Sequence, residues 1–406
     1  MHTQSARFAL VIGAAFGAQL SMLPNSAAAQ TCGVPGTGTG QPNFGEAMCG
    51  ITATAKTQFT AGKTAFSTVE TAAEGLGPVF NGNSCVSCHS QGGTGGGSTL
   101  VETRFGRVVN GVFDPMASIG GSLIQTTGIG PTGSCNYVGE VVPSGATVRA
   151  GRLTTPLFGL GLIDNIATST LENLAANQPA SQRGHTAKIT DPAGHAAIGK
   201  FGWKAQVATV FDFSGDAYLN EMGITSPAFP AENCPQGNCA LLSCDPIPEA
   251  THGPEDAGDD VQAFADFMSN LAPPPQKLPL SVDATAGAAL FGTLGCATCH
   301  TASITTAATG PVGLRNRVIF PYSDFLLHDM GSLGDGIAQG GAKGTEMRTA
   351  PLWGARVRTR FLHDGRAVSV SDAILAHAGQ GQAARNLYNL LPAAQKNQVV
   401  AFINSL

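Results

Sequence analysis

Cys85-Val86-Ser87-Cys88-His89 and Cys296-Ala297-Thr298-Cys299-His300 are two copies of one pattern, Cys-x-x-Cys-His, in a 406-residue chain. The spacing has a chemical reason. Two thiols three positions apart can add to the two vinyl groups of a single haem, and the adjacent histidine then reaches the iron from the proximal side. Covalent attachment retains such a cofactor outside the cell. A lone copy would leave a disulfide or a redox-active pair open. Here each copy follows a helical stretch and precedes a Gly/Thr-rich loop, so the chain carries a weak internal repeat of one haem-binding unit. Zinc fits poorly, because each motif offers only three neighbouring ligands.

Outward from the motifs, apolar periodicity places helices. One is expected over 54–71, with Phe59, Ala61, Ala65, Phe66 and Val69 on an approximate stripe. Others are expected at 204–211, 216–222, 371–378, 382–390 and 392–403, with Pro392 in a first turn. A further helix spans 259–271, where Val261, Phe264, Phe267, Met268 and Leu271 share a face and Asp259 and Asp260 meet the positive end of the dipole. Asp283 is expected to cap a helix over 284–291 that leads into the second motif. The apolar run 157–166 reads as a buried turn entering a short helix. Pro273-Pro274-Pro275 stops the 259–271 helix and marks a boundary. The expected fold is mainly α: two c-type cytochrome-like haem domains with long Gly/Pro-rich loops and a few short β-strands. The divisions are a signal peptide over 1–29, an N-terminal haem domain with insertions over 30–272, a linker over 273–277 and a C-terminal cytochrome domain over 278–406.

Composition agrees. Charged residues are 12% of the chain, about half the usual share. A net charge of −5 gives no footprint for nucleic acid. Gly (53) and Pro (24) lack a three-residue period, which excludes collagen and points to long loops. Arg7, the apolar run 8–18 and Ala27-Ala28-Ala29 form an export signal too short to span a bilayer, so a periplasmic location is expected. Export permits disulfides. Six cysteines lie outside the motifs: Cys32, Cys49, Cys135, Cys234, Cys239 and Cys244. They allow fifteen pairings. The trio 234/239/244 must sit on a loop and, if all three are bridged, send at least one bond to a distant cysteine.

Beyond the motifs, the chain resembles the di-haem oxidoreductases labelled thiol oxidoreductases or peroxidases, within the bacterial di-haem cytochrome c peroxidase superfamily. The resemblance rests on Gly75-Leu76-Gly77-Pro78, Thr155-Pro156-Leu157-Phe158-Gly159, Lys200-Phe201-Gly202-Trp203-Lys204, Leu326-Leu327-His328-Asp329-Met330-Gly331, Arg348-Thr349-Ala350-Pro351-Leu352-Trp353-Gly354 and Arg360-Phe361-Leu362-His363-Asp364-Gly365-Arg366. It implies two covalently bound haem c groups. The C-terminal one would be six-coordinate and electron-receiving, held by His300 and, at the place of the distal ligand, His377. His328, Met330, Met347 and His363 compete for that role. Arg366 would bind a propionate. A Trp between the haems, Trp203 or Trp353, would relay electrons. The N-terminal haem would be the reactive one, with an open distal position. His185, His195 and Met116 are the available ligands there, none compelling, and Gln125 with Glu140 is the nearest acid–base pair. The resemblance also implies calcium, with Asn81 or Asp329 as the candidate contributors. An electron-donor protein such as a small cytochrome or cupredoxin, and a small-molecule oxidant, are the expected partners. The oligomeric state is open. The reading is an oxidoreductase that reduces peroxide or uses it on a substrate; the alternative is a non-catalytic two-haem electron carrier. A five-coordinate or weakly ligated His89 haem would favour the first.

Overall fold

The structure is a computed structural model that describes residues 42–406. The expected export segment and Cys32 lie outside the described residues. Helix α1 (Ala53–Ala65) starts where the Thr52 hydroxyl accepts the N–H of Ala55 at 3.1 Å. It is shorter than the expected 54–71. Ser67 and Thr68 turn their hydroxyls back onto the carbonyls of Lys63 and Thr64, and the chain leaves the helix there. The short helix α2 (Leu160–Asp164) lies within the apolar run that announced it. Helix α3 (Thr168–Asn177) was not expected; Leu171 is its one buried residue, with Leu174 and Ala175 partly buried against the core on the same face.

Helix α4 (Val210–Met222) absorbs the expected 216–222 segment. Thr209 caps it, and Gly223, at φ 72°, ends it in a left-handed turn that bonds back to Leu219. The helix expected over 204–211 does not form. Lys204 is fully buried in a turn, its Nζ 2.8 Å from Asp335 Oδ1 and 3.0 Å from the Lys343 carbonyl. Those long-range partners override local helix propensity. Helix α5 (Asp259–Asn270) has the expected buried face and first-turn acids. Asp256, which periodicity did not flag, also accepts N–H bonds from Gly258, Asp260 and Val261. Helix α6 (Val282–Thr293) is capped by Ser281, not by Asp283, which sits in its first turn. Helices α7 (Val370–Leu375), α8 (Gln382–Leu390) and α9 (Ala393–Ile403) follow, with Pro392 at the cap position of α9 rather than inside it.

The helices pair in the same way on the two sides of the Pro-rich stretch. α1 packs on α5, and α6 packs on α9. At each crossing a glycine admits the neighbouring backbone. A Cβ on Gly62 would lie 2.1 Å from the Ala263 carbonyl oxygen, and one on Gly287 would lie 1.9 Å from that of Gln398. The larger core joins α1, α2, α4 and α5, and it also draws in Ile304, Leu314, Ile319, Phe325, Leu326 and Trp353 from beyond residue 278. The smaller core holds Phe291, Val370, Tyr388, Val399, Phe402 and Leu406.

Helices dominate the regular structure, and the strands form small antiparallel sheets of two or three. The longest strand, β1 (Val101–Val109), lies between β2 (Val112–Asp114) and β3 (Val148–Leu153). Further on, β4 (Leu327–Asp329) pairs with β5 (Glu346–Arg348), His328 facing Met347. Cys234 is bonded to Cys239 and Cys244 to the distant Cys135, so one of the trio does reach far along the chain. Cys49 is disulfide-bonded as well. Among the described residues no helix is long and apolar enough to cross a membrane.

Candidate functional site

Each motif opens onto its own cavity. The first, about 280 Å³, is lined by Cys85, Cys88 and His89; the second, about 190 Å³, by Cys296, Cys299 and His300. All four cysteines are free thiols. Burial pushes Cys85 up to about 12 and Cys296 up to about 11, so both are protonated at neutral pH. A redox-active Cys-x-x-Cys pair requires the opposite, a thiol shifted toward thiolate.

Each motif histidine has its Nδ1 engaged by a backbone carbonyl. His89 engages the Gly96 carbonyl through Nδ1 at 3.1 Å, and His300 that of Tyr322 at 2.9 Å. Burial pulls both imidazoles down to about 4, so both are neutral. Nδ1–H then donates to the carbonyl and the Nε2 lone pair is left for a metal. His377, just beyond α7, also lines the second cavity and holds the Ala373 carbonyl with Nδ1 at 2.8 Å. The ring centroids of His300 and His377 are 6.5 Å apart. With imidazole–metal bonds of about 2.0–2.1 Å, two rings on opposite sides of one ion have centroids roughly 6–6.5 Å apart. The residues of the second cavity therefore fit a haem iron held between two histidines. His328, Met330, Met347 and His363 line the same cavity. His328, however, has both ring nitrogens engaged, Nε2 with Asp324 at 2.9 Å and Nδ1 with Gln380 at 3.1 Å.

The first cavity is different. His89 is the only histidine among its lining residues, which also include the Met222 and Met268 thioethers of the main core. His185 pairs with Glu346, His195 with Asp191, and Met116 packs on Phe105 and Ile124; none reaches the cavity.

Gln125 and Glu140 do not reach it either, which corrects their expected place beside the reactive haem. They hold each other: Glu140 accepts the Gln125 N–H at 2.9 Å and the Gln236 N–H at 2.6 Å, and Gln125 Nε2 donates to Asn220 O. The acids that do line the cavity are Glu102, Asp216 and Glu221. Glu221 hydrogen-bonds to Glu102 and accepts from Asn81 Nδ2 at 2.9 Å. Burial, with the Glu102 carboxylate beside it, raises Glu221 well above the usual carboxyl range. Burial would raise Glu102 too, but Arg104, donating at 2.8 Å, outweighs it and holds Glu102 low. Burial pushes Asp216 up to about 6. One signal was readable in the sequence: Glu102 and Arg104 stand two apart on one face of a β-like run, where a charged pair is out of place unless the face is used.

Arg366 is likewise misplaced by the resemblance. It lines neither cavity, is bound by Asp364, and leaves about half of its side chain in solvent (52%). Trp203 lines both cavities, donates Nε1–H to Leu153 O at 2.8 Å, and meets the His363 ring edge-on at 6.3 Å. Trp353 belongs to the main core and lines neither.

The expected calcium contributors do not converge. Asn81 serves Glu221 and Thr126, and Asp329 accepts the Gly331 N–H. Two groups of ligand-type side chains occur among the described residues: Cys299, Asp324 and His328, and the carboxylates of Glu232, Asp245, Glu249 and Glu255. In the second group burial pushes Glu232 up to about 10 and Glu255 up to about 7, so the cluster carries protons at neutral pH.

Compared with known families, residues 141–406 match the one described as "Di-haem oxidoreductase, putative peroxidase". The first motif lies ahead of the matched segment. Among curated proteins none matches. Several solved structures are similar. The diheme peroxidase BthA from Burkholderia thailandensis is 17% identical, with 92% of this chain and 94% of that chain covered and a TM-score of 0.40. A MauG-like protein associated with microbial copper homeostasis is 13% identical, with 86% and 89% covered and a TM-score of 0.38. The hydrazine synthase of Kuenenia stuttgartiensis is 13% identical, with 99% and 100% covered and a TM-score of 0.37.

Proposed function

The chain belongs to the di-haem oxidoreductase family, and on that premise we propose that it is an exported, periplasmic c-type enzyme that reduces hydrogen peroxide or uses it to oxidise a substrate. Each haem is joined through thioethers, one to Cys85 and Cys88 and the other to Cys296 and Cys299. A cytochrome-like unit carries each, over 30–272 and 278–406, on either side of the linker 273–277. The observation that supports an enzyme over a pure electron carrier is the difference between the cavities. His300 faces a second imidazole, His377, at 6.5 Å, whereas among the described residues no other histidine lines the His89 cavity.

Bound haem supplies the one-electron redox chemistry; the chain supplies ligands, protons and a route. His300 and His377 saturate one site, which suits it to taking electrons from a small cytochrome or cupredoxin. Trp203, shared by both cavity walls, carries them toward the His89 site. Peroxide reduction there takes up two electrons and two protons and releases two waters. The Glu221–Glu102 pair relays the protons: Glu221 gives up the one it holds and is reprotonated from solvent to deliver the second, while Glu102, held ionised beside Arg104, orients it. Two carboxyls whose surroundings separate their proton affinities are the mark of an acid–base pair.

Electron spin resonance and optical spectra of the haem-loaded protein, before and after peroxide, test this reading. The expected result is one low-spin bis-histidine signal and one high-spin or weakly ligated signal, with peroxide altering the second. Two tightly six-coordinate haems that ignore peroxide would overturn the enzyme reading in favour of a carrier.

A further inference from the structure

Two arginines, Arg348 buried and Arg358 half-buried, stand on the wall of the second cavity with no ion-pair partner among the described residues. Arg348, in β5, is 8% exposed; its Nε donates to the Gly202 carbonyl at 2.7 Å and its Nη1 to that of Thr349 at 3.3 Å. Arg358 lies with its Cζ 5.8 Å above the Phe361 ring, and its Nη2 is buried with no hydrogen-bond partner. Among the described residues neither makes an ion pair, whereas the deeply buried cations Arg152 and Lys204 share Asp335 at 2.9 and 2.8 Å. Asp324, the acid that acts on Arg348, is already taken by His328 at 2.9 Å and Gln178 at 2.6 Å. Burial pulls both guanidinium groups down to about 10. They stay charged at neutral pH, and a buried charge without a counter-charge is strongly unfavourable. The cavity wall is therefore short of negative charge.

We infer that Arg348 and Arg358 form a carboxylate-binding site that takes the propionates of the haem attached at Cys296 and Cys299. This rests on the di-haem reading above. A haem brings two carboxylates, and the planar guanidinium fork is the side chain best shaped to hold them. Both arginines also line a narrow cleft of about 30 Å³ together with Trp203, Phe213 and Thr155. The last three belong to the wall of the first cavity as well. Carboxylates held by Arg348 and Arg358 would stand on the Trp203 side of the second cavity. The arginines replace Arg366, the residue that the resemblance implied. A free carboxylate or phosphate ion would satisfy the same two arginines, so the test separates the two sources.

The test uses the full chain with its haem content first measured by mass. The potential of the bis-histidine haem is titrated from about pH 5 to 9, a range wide of an ordinary carboxyl, in wild type, R358Q, R358K, R348Q and R366Q. The wild-type potential is expected to be nearly independent of pH, because paired propionates stay ionised. R358Q and R348Q are expected to lower the potential, since a positive charge beside the haem favours reduced iron, and to add a pH-dependent slope, because a propionate left buried without its cation is raised into this range. R358K should recover most of the shift, and R366Q should match wild type. Wild-type potential and slope in R358Q and R348Q, with both haems attached, overturn the inference; reduced thermal stability without a potential change means only a packing role and overturns it too. So does a wild-type potential that moves with added acetate or phosphate, which assigns the arginines to a free ion. Should R358Q fail to accumulate, R348Q and R358K carry the same comparison. A wild-type chain without two added haem masses defeats the di-haem reading itself, which separates that failure from this one.

Discussion

Replacing Gly287 by Ala tests the packing of α6 on α9. A Cβ there would sit 1.9 Å from the Gln398 carbonyl oxygen, and also 2.9 Å from Phe402 Cβ. The obstructing atom is backbone and cannot rotate away. To reach even 3.0 Å, the limit below which Cβ contacts do not occur, the helices must part by 1.1 Å, the difference between 3.0 and 1.9 Å. That loosens Phe291 against Phe402, now 5.3 Å apart, in the core behind the second cavity. Overpacking of this kind costs about 1–3 kcal/mol, and a backbone clash belongs at the upper end. Better helix propensity of Ala returns about 1 kcal/mol. The net expectation is a loss of about 2 kcal/mol. Gly292, in the same helix, has nothing within 4 Å of the point where a Cβ would stand. Gly292→Ala should therefore gain up to about 1 kcal/mol. Urea unfolding of the haem-loaded protein, followed by far-ultraviolet circular dichroism and by the bis-histidine absorption, measures both variants. Midpoints that move together, or a stabilised G287A, would refute the close crossing.

Four other perturbations follow from the same geometry. Glu221→Gln should slow the reaction with peroxide by about 10²–10⁴-fold, the usual weight of general acid–base catalysis, while Glu140→Gln should leave it near wild type; stopped-flow mixing with peroxide distinguishes them. His377→Ala should abolish the bis-histidine spin-resonance signal and spare the signal of the His89 haem; an unchanged low-spin signal would assign the ligand elsewhere. Loss of the Cys135–Cys244 bond, which closes a separation of 109 residues, should cost about 4–5 kcal/mol, against about 2 kcal/mol for Cys234–Cys239 with its separation of 5; chemical unfolding of the paired Cys→Ala variants compares them. Burial would raise the Asp335 carboxyl, but Arg152 and Lys204 outweigh it and hold it low. Its stabilisation is thus present above the ordinary Asp value of about 3.9 and is lost as pH falls through the lower folded value. Asp335→Asn should therefore flatten the acid limb of a stability–pH curve. It should also cost about 3–5 kcal/mol at neutral pH, since two buried cations lose their partner.

The two Cys-x-x-Cys-His motifs and most of the helical frame were legible in the chain alone. Cys-x-x-Cys-His is local: five consecutive residues carry the thiols and the ligand, so no tertiary contact is needed to read it. The α5 stripe and the short helix in the run 157–166 were legible for the same reason, because a repeating apolar face is visible within one element. Which charges stand at the cavities is set by long-range chain crossings. Glu102 and Glu221 lie 119 positions apart, and Arg348 meets a carbonyl 146 positions away, at Gly202. The resemblance pointed to Gln125, Glu140 and Arg366, which are tied to each other, to a distant backbone N–H or to Asp364. Lys204 failed as a helix residue for the same cause, since its ammonium is held by Asp335 and the Lys343 carbonyl. A buried charge takes the conformation that its partner requires, and the partner is chosen by chain crossings that no window of neighbouring residues records.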